Sequence, residues 1–214
     1  KTFGGLDNDV ANSIQETADG GYIVAGWIEF VRSGKEDAYI LKLNARGDVE
    51  WEKTFGEKYS KYETKSVQQT RDGGYLVAGW TYSFNSGGYD AYILKLNARG
   101  EVEWQKTFGG MKDDEANSIQ QTADGGYIVA GCTKSFGSGG QDVYILKLNS
   151  KGEVEWQKTF GGMKDDEANS IQQTADGGYI VAGCTKSFGS GGQDVYILKL
   201  NSKGEVEWQK TFGG

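Results

Sequence analysis

Histidine and proline are absent from the 214 residues, cysteine and methionine occur twice each, and lysine plus arginine (23) fall short of aspartate plus glutamate (30). Each shortage excludes something. Without histidine the chain lacks the commonest general base and the commonest metal ligand at once. Without proline the turns rest on glycine, and 34 glycines supply them. A net charge of −7 leaves no basic stripe to neutralise phosphates, which argues against nucleic acid and against anionic membrane surfaces. No apolar run reaches the ~18–20 residues of a membrane-spanning helix, so membrane insertion is not expected. The chain shows no signal peptide and starts mid-motif at Lys1 rather than at methionine, as a processed chain, a trimmed one or a piece of a longer array would. Cys132 and Cys184 occupy one equivalent position in neighbouring repeats, which reads as two packing groups rather than a disulfide.

What is present is repetition. "DGGYIVAG" at Asp19 returns as "DGGYLVAG" at Asp72 and unchanged at Asp124 and Asp176. "YILKLN" starts at Tyr39, Tyr92, Tyr144 and Tyr196, and "KTFG" recurs from Lys1 to Lys210 on the same beat. A fixed period of this length is the signature of a repeat architecture. One extra residue lies between Phe55 and Ser66, where "GEKYSKYETKS" replaces the shorter "GGLDNDVANS", and it marks a surface loop.

The third unit carries four strand-like runs. Ser118–Thr122 is short and polar, and the "ADGG" after it is a strong hairpin signal. Tyr127–Ser135 and Val143–Leu148 are nearly apolar throughout, as strands covered on both faces are. Val154–Phe160 alternates, and helical period is missing everywhere. The profile predicts an all-β β-propeller of four blades, each of four antiparallel strands. The blades would be residues 1–52, 53–105, 106–157 and 158–209 of a single domain, with a redundant "KTFGG" at 210–214. Trp51, Trp104, Trp156 and Trp208 are expected between blades, each wedged against the next unit.

The stretch "SIQQTADGGYIVAGCTKSFGSGGQDVYILKLNSKGEVEWQKTFGG" resembles the blade repeats of large bacterial and archaeal secreted or surface propellers, distant relatives of the quinoprotein propellers. The resemblance covers all four units and implies an extracellular or cell-surface binding or display role. The quinoprotein cofactor is not carried over, because the tryptophan-docking motif of those enzymes is unmatched here. No cofactor is expected.

Candidate chemistry sits in three places. Acidic loops place Asp7 and Asp9, Asp113, Asp114 and Glu115, and Asp165, Asp166 and Glu167 together, the hard oxygen donors calcium takes. The spacing is not that of an EF-hand, and a solvated turn is the plainer reading, with Asp114, Glu115, Asp166 and Glu167 as the calcium candidates. The first strand's polar residues, Ser13, Gln15, Ser66, Gln68, Ser118, Gln120, Ser170 and Gln172, would line a central channel. Aromatics that break the repeat (Phe30, Tyr59, Tyr62, Tyr82 and Tyr89) are suited to stacking on a sugar ring or anchoring a protein. The aspartate before the third strand (Asp37, Asp90, Asp142, Asp194) is read as fixing the glycine loop before it.

Residues 106–157 and 158–209 are identical at all 52 positions, so the duplication is either very recent or man-made. An active site normally breaks such symmetry. The expectation is therefore a non-enzymatic scaffold or binding module for a protein or glycan, with a secreted lectin-like domain holding loop-bound calcium as the alternative. Closure of four blades into a monomeric ring is slightly preferred to a larger ring made by two chains.

Overall fold

The structure, a computed structural model, describes residues 8–30, 35–58, 60–82 and 87–213. Lys1–Gly5, Asp7 and Tyr59 lie outside the described residues. Sixteen strands and no helix are present among them. The chain divides into two compact units, 1–108 and 109–214.

The first unit holds β1 (Asp9–Glu16), β2 (Tyr22–Phe30), β3 (Lys35–Leu43), β4 (Val49–Phe55), β5 (Lys61–Gln69), β6 (Tyr75–Tyr82), β7 (Tyr89–Leu96) and β8 (Val102–Phe108). The second holds β9 (Asp114–Gln121), β10 (Tyr127–Thr133), β11 (Asp142–Leu148), β12 (Val154–Phe160), β13 (Asp166–Gln173), β14 (Tyr179–Thr185), β15 (Asp194–Leu200) and β16 (Val206–Phe212). Within every repeat the strands pair antiparallel in chain order.

The sheets group differently from the expected four of four. β9–β12 and β13–β16 are separate four-stranded sheets, whereas β1–β8 form one sheet of eight. The join is a single parallel pair, Glu36 with Lys61, reinforced by an ion pair of 2.8 Å. β3 runs two residues past its counterpart β11 at this end, and β5 one residue past β13. In the second unit Gln141, the counterpart of Glu36, accepts one backbone bond through its carbonyl oxygen from Asp166 N–H, at 2.7 Å.

The hairpin and the central strands explain the repeated octapeptide. In "DGG" the first glycine takes positive φ (+85° at Gly125), closing a turn in which Thr122 N–H bonds Gly126 O. The second lies against backbone: a Cβ at Gly126 would meet Leu148 O and come 2.6 Å from Lys147 Nζ. At the other end of the octapeptide Gly131 faces the bulge in β9, where the ladder skips a residue between Ala116 and Ser118. A Cβ there would land on the carbonyl oxygen of Glu115. The first strand starts earlier than the sequence suggests, at Asp114 rather than Ser118, because the bulge lets it pair on both sides.

In each unit one repeat packs its trailing face onto the leading face of the next. Ile23, Ala25, Ala38 and Ile40 meet Val67, Tyr75, Val77, Tyr92 and Leu94 in the first unit. Ile128, Ala130, Val143 and Ile145 meet Ile171, Tyr179, Val181, Tyr196 and Leu198 in the second. Trp51 and Trp156 sit where expected, edge-on to the following repeat's Tyr75 (5.6 Å between centroids) and Tyr179 (5.9 Å). Trp208 does not, with 43% of its surface exposed.

Identical sequence does not give identical burial here. "YIVAGCT" is buried throughout as β10, but the same seven residues as β14 alternate between buried and open. At the other end Ile14 is 66% exposed, against 3% for its counterpart Ile171.

Candidate functional site

The acidic positions fold into hydrogen-bonded knots. Asp114 is fully buried and accepts bonds from Thr133 Oγ1, Ser135 Oγ (2.6 Å) and Gly110 N (2.8 Å). Asp166 repeats the arrangement with Ser187 Oγ (2.6 Å) and Gly162 N (2.9 Å). Glu167 accepts from Asn117 Nδ2 at 3.0 Å, while Glu115 is half-buried. Among the described residues no three carboxylates or thiols are gathered for a metal. Asp142 accepts Ser138 N–H at 2.8 Å, as the loop-fixing reading requires, and burial raises its carboxyl above the usual range, with Asp166 adding to the effect.

The second repeat breaks the knot. Tyr62 stands where the third and fourth have Asp114 and Asp166, and it packs edge-on to Tyr92 with centroids 5.0 Å apart. Burial pushes both phenols above their ordinary value. Above them opens a cleft of about 210 Å³ lined by Thr54, Phe55, Gly56, Glu57, Tyr62, Tyr92 and Gln105. A neighbouring hollow adds Lys106 and Thr107. Tyr92 donates its hydroxyl to Gln105 Oε1 at 3.0 Å, and Gln105 lines the cleft together with the exposed Glu57. Aromatic floor and polar rim are the elements that grip a hydroxyl-bearing ring.

Phe30, Tyr82 and Tyr89 do not line this cleft. Tyr82 and Tyr89 cluster with Trp80, Tyr89 lying 4.5 Å from Trp80 and 5.5 Å from Tyr82 by centroid. Phe30 ends β2 with 38% of its surface exposed.

The polar residues of the first strands bind the next repeat. Ser13 Oγ accepts Val67 N–H (3.1 Å) and Gln15 Oε1 accepts Gln69 N–H (2.6 Å). Ser118 and Gln120 do the same for Ile171 (3.3 Å) and Gln173 (2.7 Å). Ser66 and Gln68 are half-buried, and Ser170 and Gln172 are exposed. Sequence reasoning missed the asparagine beside them: Asn12 and Asn117 donate across the junction to the carbonyls of Thr64 (2.9 Å) and Ala168 (3.0 Å). The signal was "ANSIQ", in which Asn, Ser and Gln recur together.

A second missed set is the lysine inside each "YILKL". Lys147 is buried, with its ammonium 2.9 Å from both Asp124 and Glu155 and 3.2 Å from Leu148 O. Burial alone raises the Asp124 carboxyl, but bonds from Thr122, Gly126 and Lys147 outweigh it and lower the value from 3.8 to about 2. A depressed carboxyl pKa contributes stability that is whole above about pH 4 and lost as pH falls toward 2. Thermal melts between pH 6 and pH 2 should therefore show wild type losing its advantage over Asp124→Asn in that window. A gap that stays constant down to pH 2 would contradict the assignment.

Three comparisons bear on this geometry. A family profile described as "Domain of unknown function (DUF5122) beta-propeller" matches residues 70–103. The regulatory protein FlaEY of Caulobacter vibrioides is 24% identical over 144 residues, which cover 58% of this chain and 15% of that protein. Among solved structures, a protein of unknown function from Bacteroides caccae aligns with TM-score 0.53 at 15% identity, over 96% of this chain and 82% of that one. The β-propeller domain of the Trilobed protease from Pyrococcus furiosus, described as having an open velcro topology, aligns with TM-score 0.52 at 10% identity, over 100% of this chain and 59% of that one. An exo-beta-1,3-galactanase from Phanerochaete chrysosporium gives TM-score 0.54 at 13% identity, over 92% and 48%. At these identities the likeness concerns the fold, which is that of a repeat β-propeller.

Proposed function

We propose that the chain is a non-enzymatic propeller module of four four-stranded blades, single in domain, whose second blade carries a binding cleft for a saccharide in an extracellular or cell-surface setting. The observation that carries this reading is Tyr62, which opens the cleft at the one repeat where the buried aspartate is replaced. Binding is favoured over cleavage by the lining itself. Glycoside hydrolysis needs two facing carboxylates, and among the described residues that line the cleft Glu57 is the one carboxylate. The calcium alternative loses support because Asp114, Asp166 and Glu167 already accept bonds from the protein.

A glycan array followed by calorimetry tests the reading. We expect a hydroxyl-rich ligand whose affinity falls about tenfold in Gln105→Ala and again in Glu57→Gln, one lost hydrogen bond being worth roughly that factor. Absence of any bound glycan, or binding that neither variant weakens, would overturn the saccharide assignment. Release of free sugar from a bound oligosaccharide would overturn the non-enzymatic one.

A further inference from the structure

The junction between consecutive repeats is written once within each unit with the same parts. An asparagine donates to a carbonyl of the next first strand, a serine and a glutamine accept that strand's amides, and the strand's own Gln69 or Gln173 accepts Ala18 N–H (2.8 Å) or Ala123 N–H (2.7 Å) in return. A tryptophan from the fourth strand closes each junction over the next repeat's tyrosine.

The fourth repeat carries all of these on its trailing face. Because it is identical to the third, Asn169, Ser170, Gln172 and Trp208 stand where Asn117, Ser118, Gln120 and Trp156 make the junction. All four are exposed. Val195, 50% exposed, is the counterpart of Val143, which is 1% exposed inside the second unit's core.

The first repeat presents the matching leading face. Ile14, Tyr22, Val24, Tyr39 and Leu41 are the same residue types as Ile171, Tyr179, Val181, Tyr196 and Leu198, the leading face that the third repeat already covers. Ile14 is 66% exposed, and Tyr22, Val24 and Tyr39 are half-buried where their counterparts are sealed. Two positions differ. Val10 replaces Glu167, which removes one of the two acceptors for the asparagine but keeps the backbone one. Glu16 replaces Gln173, and a carboxylate oxygen accepts an amide N–H as well as a carboxamide oxygen does.

We infer that the trailing face of the fourth repeat docks onto the leading face of the first repeat of a second copy of this chain, reproducing the junction that the chain already makes internally. The occupant is a second copy because one chain carries both halves of the interface, with Ile14 exposed on one half and Val195 on the other. Apolar faces of this kind are rarely left bare on soluble monomers. The contact is head-to-tail, so two copies joined through two equivalent junctions satisfy every such face.

Light scattering on the 214-residue chain tests this directly. The expected mass is twice 23.3 kDa. Val195→Lys on the trailing face and Ile14→Lys on the leading face replace exposed side chains, so each should fold with an unchanged circular dichroism spectrum. Each should raise the apparent Kd of the dimer about 100-fold or more by placing a charge in an apolar contact. Mixing the two variants should restore a weaker dimer, because one wild-type junction remains between them. A 23.3 kDa species at the highest soluble concentration would overturn the inference. So would a dimer that responds to Val195→Lys but not to Ile14→Lys, since that pattern belongs to two trailing faces meeting each other.

Discussion

Gly131→Ala is expected to cost about 3 kcal/mol or more, the upper end for overpacking a core. The added Cβ would land on the carbonyl oxygen of Glu115 and lie 2.8 Å from its carbonyl carbon and 3.0 Å from the Ala116 Cα. All of these are backbone, so no rotamer change relieves the clash. Nor can β10 withdraw, because it is paired along its whole length to β9 and β11 and buried on both faces. Gly26, Gly79 and Gly183 meet the same obstruction in their own repeats. Gly73→Asn is the contrasting variant. Its φ is +80°, but nothing lies within 4 Å of the added Cβ, and asparagine tolerates that conformation. It should cost about 1 kcal/mol or less. Urea midpoints for the two variants decide the matter: equal shifts would mean that conformational freedom, not close approach, is what the repeated glycine supplies.

This bears on how far the sequence could be read. Repeat period, turn chemistry and missing helical pattern were enough for an all-β repeat fold, because each is local in the chain. Strand ends were less visible. β9 begins four residues before Ser118, since Asp114, Glu115 and Ala116 pair only by virtue of a bulge whose trigger, Gly131, lies on the partner strand. The eight-stranded grouping was not legible at all, for it hangs on one residue of extension at Glu36 and Lys61. At the candidate site the break in symmetry at Tyr62 was readable, but its meaning was not. That depended on knowing that the equivalent Asp114 ties a loop shut from inside. Burial of the end faces was illegible for a different reason. The composition of a bare face is the same as that of a covered one, as β14 and β10 demonstrate, so burial there is set by what else is present rather than by sequence.

The buried lysines give the second large effect. Lys95 is 2% exposed, and its ammonium lies 3.0 Å from Asp72, 2.9 Å from Glu103 and 3.1 Å from Leu96 O. An apolar strand tolerates it because the stem packs as hydrocarbon while the head joins two carboxylates at the sheet's end. Lys95→Ala removes three methylenes, worth about 2.4 kcal/mol at ~0.8 each, and leaves the Leu96 carbonyl without its lysine donor, a further ~1–3. The carboxylates are about half-exposed and regain water, so their loss adds little. The expected total is about 4 kcal/mol. Lys95→Met keeps the stem's volume and loses only the head's bonds, so it should cost about 1–3 kcal/mol. Denaturant unfolding of both variants separates packing from polar satisfaction. If methionine proved as damaging as alanine, the ammonium's bonds rather than its stem would hold the strand, and the lysine in each "YILKL" would be primarily an electrostatic clamp between the hairpin aspartate and the fourth strand's glutamate.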